Sequence, residues 1–181
     1  MGHLVIALEV GHALSLDRVL LVVAGDPWQK SAHRSITPAV DRLVMVEAAV
    51  GGAAGVEVSD IEVQRGGPSY LADTLADLAA AGPGDELFVI VGSDAAQGLD
   101  TWEHPDDVRD RATTVVVERG GREGGRPPAG WPYLVVDVPA LDVSSSDLRR
   151  RVAAGEPIRG LVPKMVADII EAQDLYAKGK T

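Results

Sequence analysis

Short apolar runs alternate with helical patterns along nearly the whole chain, and this alternation constrains the fold more than any single motif. Val19-Leu20-Leu21-Val22-Val23-Ala24 is a continuous apolar run, bounded by Asp17-Arg18 before it and Gly25-Asp26-Pro27 after it. Leu87-Phe88-Val89-Ile90-Val91, Thr114-Val115-Val116-Val117 and Tyr133-Leu134-Val135-Val136 repeat the form. Such runs, rich in β-branched residues and closed by turn residues, are expected as strands buried on both faces, as in a parallel sheet. Val56-Glu57-Val58 and Ile61-Glu62-Val63 alternate instead and are expected as edge or loop strands.

Amphipathic helices are expected between these runs. Leu4, Ala7, Leu8 and Gly11 share a face of the first, and the chain is already in that helical pattern at Met1. The second follows Thr37-Pro38, a capping residue and a proline suited to the first helical position, and carries Val40, Leu43, Val44 and residues 46–48. The third covers about 69–81, with Leu71, Thr74, Leu75 and Leu78 on one side; 144–153 and 163–172 supply two more. Strand alternating with helix predicts the α/β class: a doubly wound, mostly parallel sheet whose ligands sit beyond the carboxyl ends of its strands. At 181 residues, without internal repeats or a linker, 1–181 is expected as a single domain.

Composition narrows the function. With 17 Lys+Arg against 27 Asp+Glu the net charge is −10, which argues against a nucleic-acid partner, since wrapping phosphates takes a basic face. A bound anion must therefore draw on a few cations gathered locally. Cysteine is absent, which excludes disulfides, thiolate metal sites and a thiol nucleophile, and fits a reducing cytoplasm. No apolar run reaches the roughly 18–20 residues of a membrane span, and the amino terminus lacks the segments of a signal peptide. No membrane partner and a cytoplasmic location are expected.

Several motifs sit where ligands bind, and each has an ordinary structural alternative. Gly2-His3 opens a helix, where a histidine can donate to an anion gathered by free backbone N–H groups, or can simply be a surface residue. Lys30, after Gly25-Asp26-Pro27-Trp28-Gln29, can meet a phosphate or be a solvated loop lysine; His33 and Arg34 read as loop residues. Gly66-Gly67-Pro68-Ser69-Tyr70-Leu71 brings backbone close to a ligand and offers Ser69 as a helix cap. Gly92-Ser93-Asp94 ends a buried run, where Asp94 can bond a ribose or a base, or cap a helix. Among only 3 Trp, 3 Tyr and 1 Phe, Trp102 lies in a polar stretch and is expected to stack on a flat heterocycle rather than fill the core. Ser144-Ser145-Ser146-Asp147-Leu148-Arg149 opens a helix with three hydroxyls and an arginine one turn in, which suits a phosphate or an ordinary serine cap. Arg150 and Arg151 read as an exposed basic face. Gly179-Lys180-Thr181 only imitates the end of a P-loop, lacking the upstream glycine spacing. The glycine-rich stretch 120–128 is expected as a flexible loop, and its Gly-Gly-Arg-Glu-Gly-Gly part is not a dinucleotide fingerprint, because no helix pattern follows it.

In this order the motifs resemble the nicotinate-nucleotide adenylyltransferases of the nucleotidyltransferase superfamily over nearly the whole chain. Gly2-His3-Leu4 is similar to the second half of that superfamily's His-x-Gly-His element, and residues 144–149 to its Ser-Ser-Thr-x-x-Arg element. Gly67-Pro68-Ser69-Tyr70 through Asp73-Thr74-Leu75, and Trp102 after Gly92-Ser93-Asp94, resemble the nicotinate branch. The resemblance implies a Rossmann-like nucleotidyltransferase fold and transfer of AMP from ATP to nicotinate mononucleotide, giving deamido-NAD and pyrophosphate with Mg²⁺. It implies His3, Lys30 and Arg149 as catalytic residues, and Gly2, His3, Gly92, Asp94, Arg119, Ser145, Ser146 and Arg149 for ATP. For the acceptor it implies Lys30, Ser69, Tyr70, Leu71 and Trp102. No protein cluster for a metal is identified, and a homo-oligomer is left open.

Three departures accompany the resemblance. Similar proteins carry a strand and a Gly-x-Phe-Asp-Pro-x-His segment before the Gly-His, so the first strand, the phosphate-cradling turn and the first catalytic His are missing from the sequence as given, and a start assigned too late is expected rather than a real loss. A truncated, catalytically silent nucleotide-binding relative is the alternative, as is an adenylyltransferase for nicotinamide mononucleotide or phosphopantetheine. Leu71 stands where Thr is usual, and Ser146 where Thr is usual.

Overall fold

A computed structural model describes residues 1–27, 36–121 and 123–178. In chain order the helices are α1 (Gly2–Ala13), α2 (Ala39–Val50), α3 (Ile61–Arg65), α4 (Leu71–Ala81), α5 (Ser93–Ala96), α6 (Pro105–Arg111), α7 (Ser145–Ala153) and α8 (Lys164–Ala172). The strands are β1 (Val19–Val22), β2 (Val56–Ser59), β3 (Phe88–Gly92), β4 (Thr113–Arg119) and β5 (Tyr133–Val138). Contacts group the chain into two compact units, Met1–Gly67 with Leu141–Thr181, and Pro68–Ala140. The expected parallel sheet is realised as two ladders, ordered β1-β2 and β3-β4-β5.

In the first unit β1 and β2 run parallel from Val19↔Val56 to Val22↔Ser59. The Val19 N–H donates to the Gly55 carbonyl at 2.8 Å and the Val23 N–H to the Ser59 carbonyl at 3.0 Å, extending the ladder at both ends. Gly25, just past β1, passes so close to α3 that a Cβ there would stand 2.5 Å from the Glu62 carbonyl oxygen, so only glycine fits without a backbone shift. A separate apolar cluster of Ile158, Val162, Val166, Ala167 and Ile170 holds α8 against Met45, Ala48 and Ala49 of α2 and Leu148 and Val152 of α7.

In the second unit β4 is central, parallel to β3 and to β5, and its residues 114–118 are all buried. That burial explains its unbroken β-branched run: each face of a central parallel strand meets packed side chains. Ala72, Leu75, Leu99, Val108, Ala112 and Trp131 form one cluster, and Val91, Ala96 and Val116 another.

Several expectations are corrected. Ile61-Glu62-Val63 is helical (α3), not an edge or loop strand. In α1 the buried residues are Ala7 and Val10, while Leu8 is exposed; the helix is apolar nearly all round, so its pattern does not select a face. In α2 Val40 and Val44 are exposed, and the packed residues are Met45, Ala48 and Ala49. Pro38, not Thr37, occupies the cap position of α2. The glycine-rich stretch is held rather than loose over its described residues. The Gly121 N–H donates to Asp137 at 2.8 Å, and Arg126 pairs with the buried Glu118 at 2.6 Å.

Candidate active site

The first unit contributes two helix amino termini. Gly2 and His3 form the first turn of the twelve-residue α1, where partial positive charge from aligned peptides accumulates, and His3 is exposed there. Residues 145–149 open α7. Ser144 is its cap: the Asp147 N–H donates to Ser144 Oγ at 3.0 Å, so the serine-cap alternative holds for this residue. Ser145 and Ser146, both exposed, then lead the helix at its positive end.

The three arginines of α7 differ in what they touch. Arg150 pairs with Asp147 at 2.8 Å and Glu156 at 2.9 Å, and Arg151 pairs with Asp147 at 2.9 Å. Hydrogen bonds from Arg151 and Arg150 hold the Asp147 carboxyl below its ordinary range. Arg149 instead reaches back one turn, donating from Nη2 to Ser146 Oγ at 3.2 Å. Arg150 and Arg151 thus pair with Asp147, and Arg149 bonds the serine-bearing turn. A cation at the open end of a helix is compatible with an anion there.

The second unit gathers its candidates at the carboxyl ends of β3 and β4. Gly92 is the last residue of β3 and is paired with Val117; Arg119 ends β4 two residues further on and is exposed. Asp94 follows in the first turn of the short α5, exposed and making no cap bond, so the helix-cap alternative is not realised. Trp102 corrects the expectation of a polar setting. It is half-buried, packed against both apolar clusters of the unit and so against the same cluster as Leu71 of α4. Ser69 does not cap α4, whose cap position is Tyr70; its hydroxyl is buried without a hydrogen-bond partner. An orphaned hydroxyl of this kind costs about 1–3 kcal/mol and marks a place where a ligand's polar group fits. Tyr70 directs its carbonyl to Thr74, accepting from its N–H at 3.2 Å and from its hydroxyl at 3.3 Å. Lys30, with His33 and Arg34, lies outside the described residues.

The motif reading missed the contribution of the glycine-rich stretch. A Cβ on Gly124 would collide with Ser93, and one on Gly125 with Gln97, so this segment lies directly against α5, the helix carrying Asp94. The doubled glycines were a signal for such close approach. What they approach is set by tertiary packing.

The cytidylyltransferase-like family model matches residues 1–151. A Streptomyces coelicolor protein named "probable nicotinate-nucleotide adenylyltransferase" is 42% identical over 178 residues, covering 97% of this chain and 93% of its own. The chain belongs to the nicotinate-nucleotide adenylyltransferase family. A Corynebacterium kroppenstedtii family member of the same name is also 42% identical over 97% of this chain and 84% of its own. In fold, the chain matches the nicotinic acid mononucleotide adenylyltransferase of Plasmodium falciparum complexed with NaAD. That match has a TM-score of 0.77 at 16% identity over 96% of this chain and 89% of that one. Among nicotinate-nucleotide adenylyltransferases this chain therefore shares both the Rossmann-like architecture and the sequence of the branch.

Proposed function

We infer that this protein transfers the AMP moiety of ATP to nicotinate mononucleotide, giving deamido-NAD and pyrophosphate in NAD biosynthesis. The observation that carries the reading is 42% identity over 97% of the chain to relatives named for that activity. The acceptor phosphate oxygen attacks the α-phosphorus in line. A new P–O bond forms, the bond from the α-phosphorus to the α,β-bridging oxygen breaks, and pyrophosphate leaves. No covalent enzyme intermediate is needed, so the protein's work is positioning and stabilising charge.

The catalytic residues in this reading are His3, Lys30 and Arg149. His3, with Gly2 at the start of α1, donates to the α-phosphate as charge develops there. Ser145, Ser146 and Arg149 hold the β- and γ-phosphates, with Arg119 a further phosphate contact. Gly92 and Asp94 bound the nucleotide sugar. Lys30 meets the acceptor's phosphate, Ser69, Tyr70 and Leu71 line its pocket, and Trp102 offers a ring face to the pyridine. Packing of Trp102 against apolar neighbours holds that ring in one orientation. Among the described residues no group of three His, Asp or Glu could hold a metal. Mg²⁺ in this reading enters with ATP as its counter-ion, and no step is assigned to it. The absence of cysteine fits a cytoplasmic setting for the reaction.

An acceptor series tests the reading. Pyrophosphate release is expected with a kcat/KM at least about tenfold higher for nicotinate mononucleotide than for nicotinamide mononucleotide or phosphopantetheine. A higher value with either other acceptor overturns the acceptor assignment. Ser69→Ala sharpens it, because the two readouts move apart. Removing an orphaned buried hydroxyl leaves Tm unchanged or raised, whereas KM for the acceptor rises about tenfold. A fall in Tm with an unaltered KM makes Ser69 structural instead.

A further inference from the structure

Glu118 is a buried carboxylate with no part in the phosphoryl transfer, yet it stands at the ligand edge of the second unit's sheet. It follows Val117, the register partner of Gly92, near the carboxyl end of β4. Two groups of the glycine-rich stretch bond it. Arg126 Nη1 pairs with Glu118 Oε1 at 2.6 Å, and the Gly124 N–H donates to the same oxygen at 3.3 Å. Arg126 Nη1 also donates to the Gly124 carbonyl at 3.1 Å and to the Gly125 carbonyl at 3.4 Å. One charged group thus ties a strand carboxylate to the backbone of two glycines.

Those glycines lie against α5, the turn that carries Asp94. A Cβ on Gly124 would collide with Ser93, and one on Gly125 with Gln97. Neither glycine has a positive φ, so contact rather than backbone conformation excludes a side chain. α5 is four residues long and has no side-chain cap bond, too short to be held by its own hydrogen bonds. Its place comes from its neighbours. Ala96 is fully buried beside Val91 and Val116, while Ser93 and Gln97, four residues apart and so on one face, meet Gly124 and Gly125. Asp94 is left exposed between them.

We propose that Glu118 and Arg126 are positioning residues, whose ion pair seats Gly124 and Gly125 against α5 and so fixes Asp94 where it meets the ribose of ATP. The proposal rests on the assignment of Asp94 to the nucleotide sugar made under Proposed function. Neither Glu118 nor Arg126 is assigned a contact with substrate. A turn braced in advance loses less freedom when its ligand arrives, so the effect falls on ATP. Trp102 is held separately, by packing on the apolar clusters of the unit, so acceptor binding is spared.

Equilibrium binding of ATP and of 2′,3′-dideoxy-ATP, which lacks the ribose hydroxyls, tests it on the full chain. The unsubstituted protein is expected to bind ATP about tenfold more tightly than the analogue, through Asp94. Arg126→Met keeps an apolar stem and removes the guanidinium. It is expected to raise the Kd for ATP about fivefold and that for the analogue less than about twofold, which narrows the ratio. KM for ATP is expected to rise with it, while KM for nicotinate mononucleotide stays within about twofold. Gly124→Ala pushes the segment off Ser93 without touching either charge, is expected to narrow the ratio in the same way, and decides alone if the first variant does not fold. A variant that binds ATP as tightly as the unsubstituted chain, or one that weakens both nucleotides equally, overturns the proposal. An unsubstituted chain that does not distinguish the two nucleotides removes the sugar assignment of Asp94, and the proposal with it. If that chain distinguishes them but turns over no acceptor, the activity reading fails and the two Kd values decide for or against the Glu118–Arg126 brace.

Discussion

His3→Ala is expected to lower kcat for pyrophosphate release by about 10²- to 10³-fold while changing KM for ATP less than about threefold. The asymmetry follows from where His3 stands. It lies in the first turn of α1, at the positive end of a twelve-residue helix, so in the proposed reading the helix end itself helps to hold a phosphate in the ground state. What the imidazole adds is a donor toward charge that grows only as the α-phosphorus changes partners, and such an interaction appears in kcat. His3 is exposed, so the substitution leaves the core intact and Tm is expected to shift by less than about 2 °C. Steady-state kinetics with ATP varied at saturating acceptor make the measurement. A rise in KM at unchanged kcat would instead make His3 a ground-state contact.

Arg149→Ala is expected to lower kcat/KM for ATP by about 10²- to 10³-fold, with part of the loss in KM. Arg149→Lys recovers a fraction of this, because a point charge replaces the charge but not the fork. Arg150→Ala is the internal control. Its guanidinium is engaged by Asp147 and Glu156 on an exposed face, so kcat/KM is expected to stay within about twofold, with little change in Tm. Equal losses for Arg149→Ala and Arg150→Ala would show that general positive charge, not the placement of Arg149 over Ser146, is what ATP senses.

The strand–helix alternation was legible, but burial on both faces, expected of all four strong runs, holds for β4 only: β1 and β3 are largely half-buried and β5 leaves Tyr133, Leu134 and Val135 exposed, because a run's apolarity does not say how many neighbours will cover it. A stretch such as Val115-Val116-Val117 is stable only where both faces are buried, and β4 is indeed central with its residues buried. Ile61-Glu62-Val63 was not legible: three residues with apolar ends fit one turn of helix as well as a strand. The buried position of Glu62 beside Gly25 is a tertiary fact. Leu8 and Val40 failed for the same reason, since an apolar residue on a helix does not say which neighbour will cover it. Among the candidate site residues, the helix-end group is readable from local chemistry, because a serine cap and an arginine one turn in act within a few residues of each other. The setting of Trp102 was misread from its polar neighbours in sequence. Those neighbours lie along the chain, whereas its packing partners are Leu71's cluster and the Val91–Ala96–Val116 group. The hold of Arg126 on the glycine-rich stretch was not legible, because its acceptors include the Gly124 and Gly125 carbonyls, which carry no side-chain signal.

The central claim is AMP transfer by this chain, and following the label of ATP tests it most directly. With ATP labelled at the α-phosphate, Mg²⁺ and nicotinate mononucleotide, the label is expected in a dinucleotide. With label at the γ-phosphate it is expected in pyrophosphate, in equal amount. Label released as orthophosphate, or no transfer at all alongside measurable ATP binding, would contradict the account and leave a nucleotide-binding protein in its place.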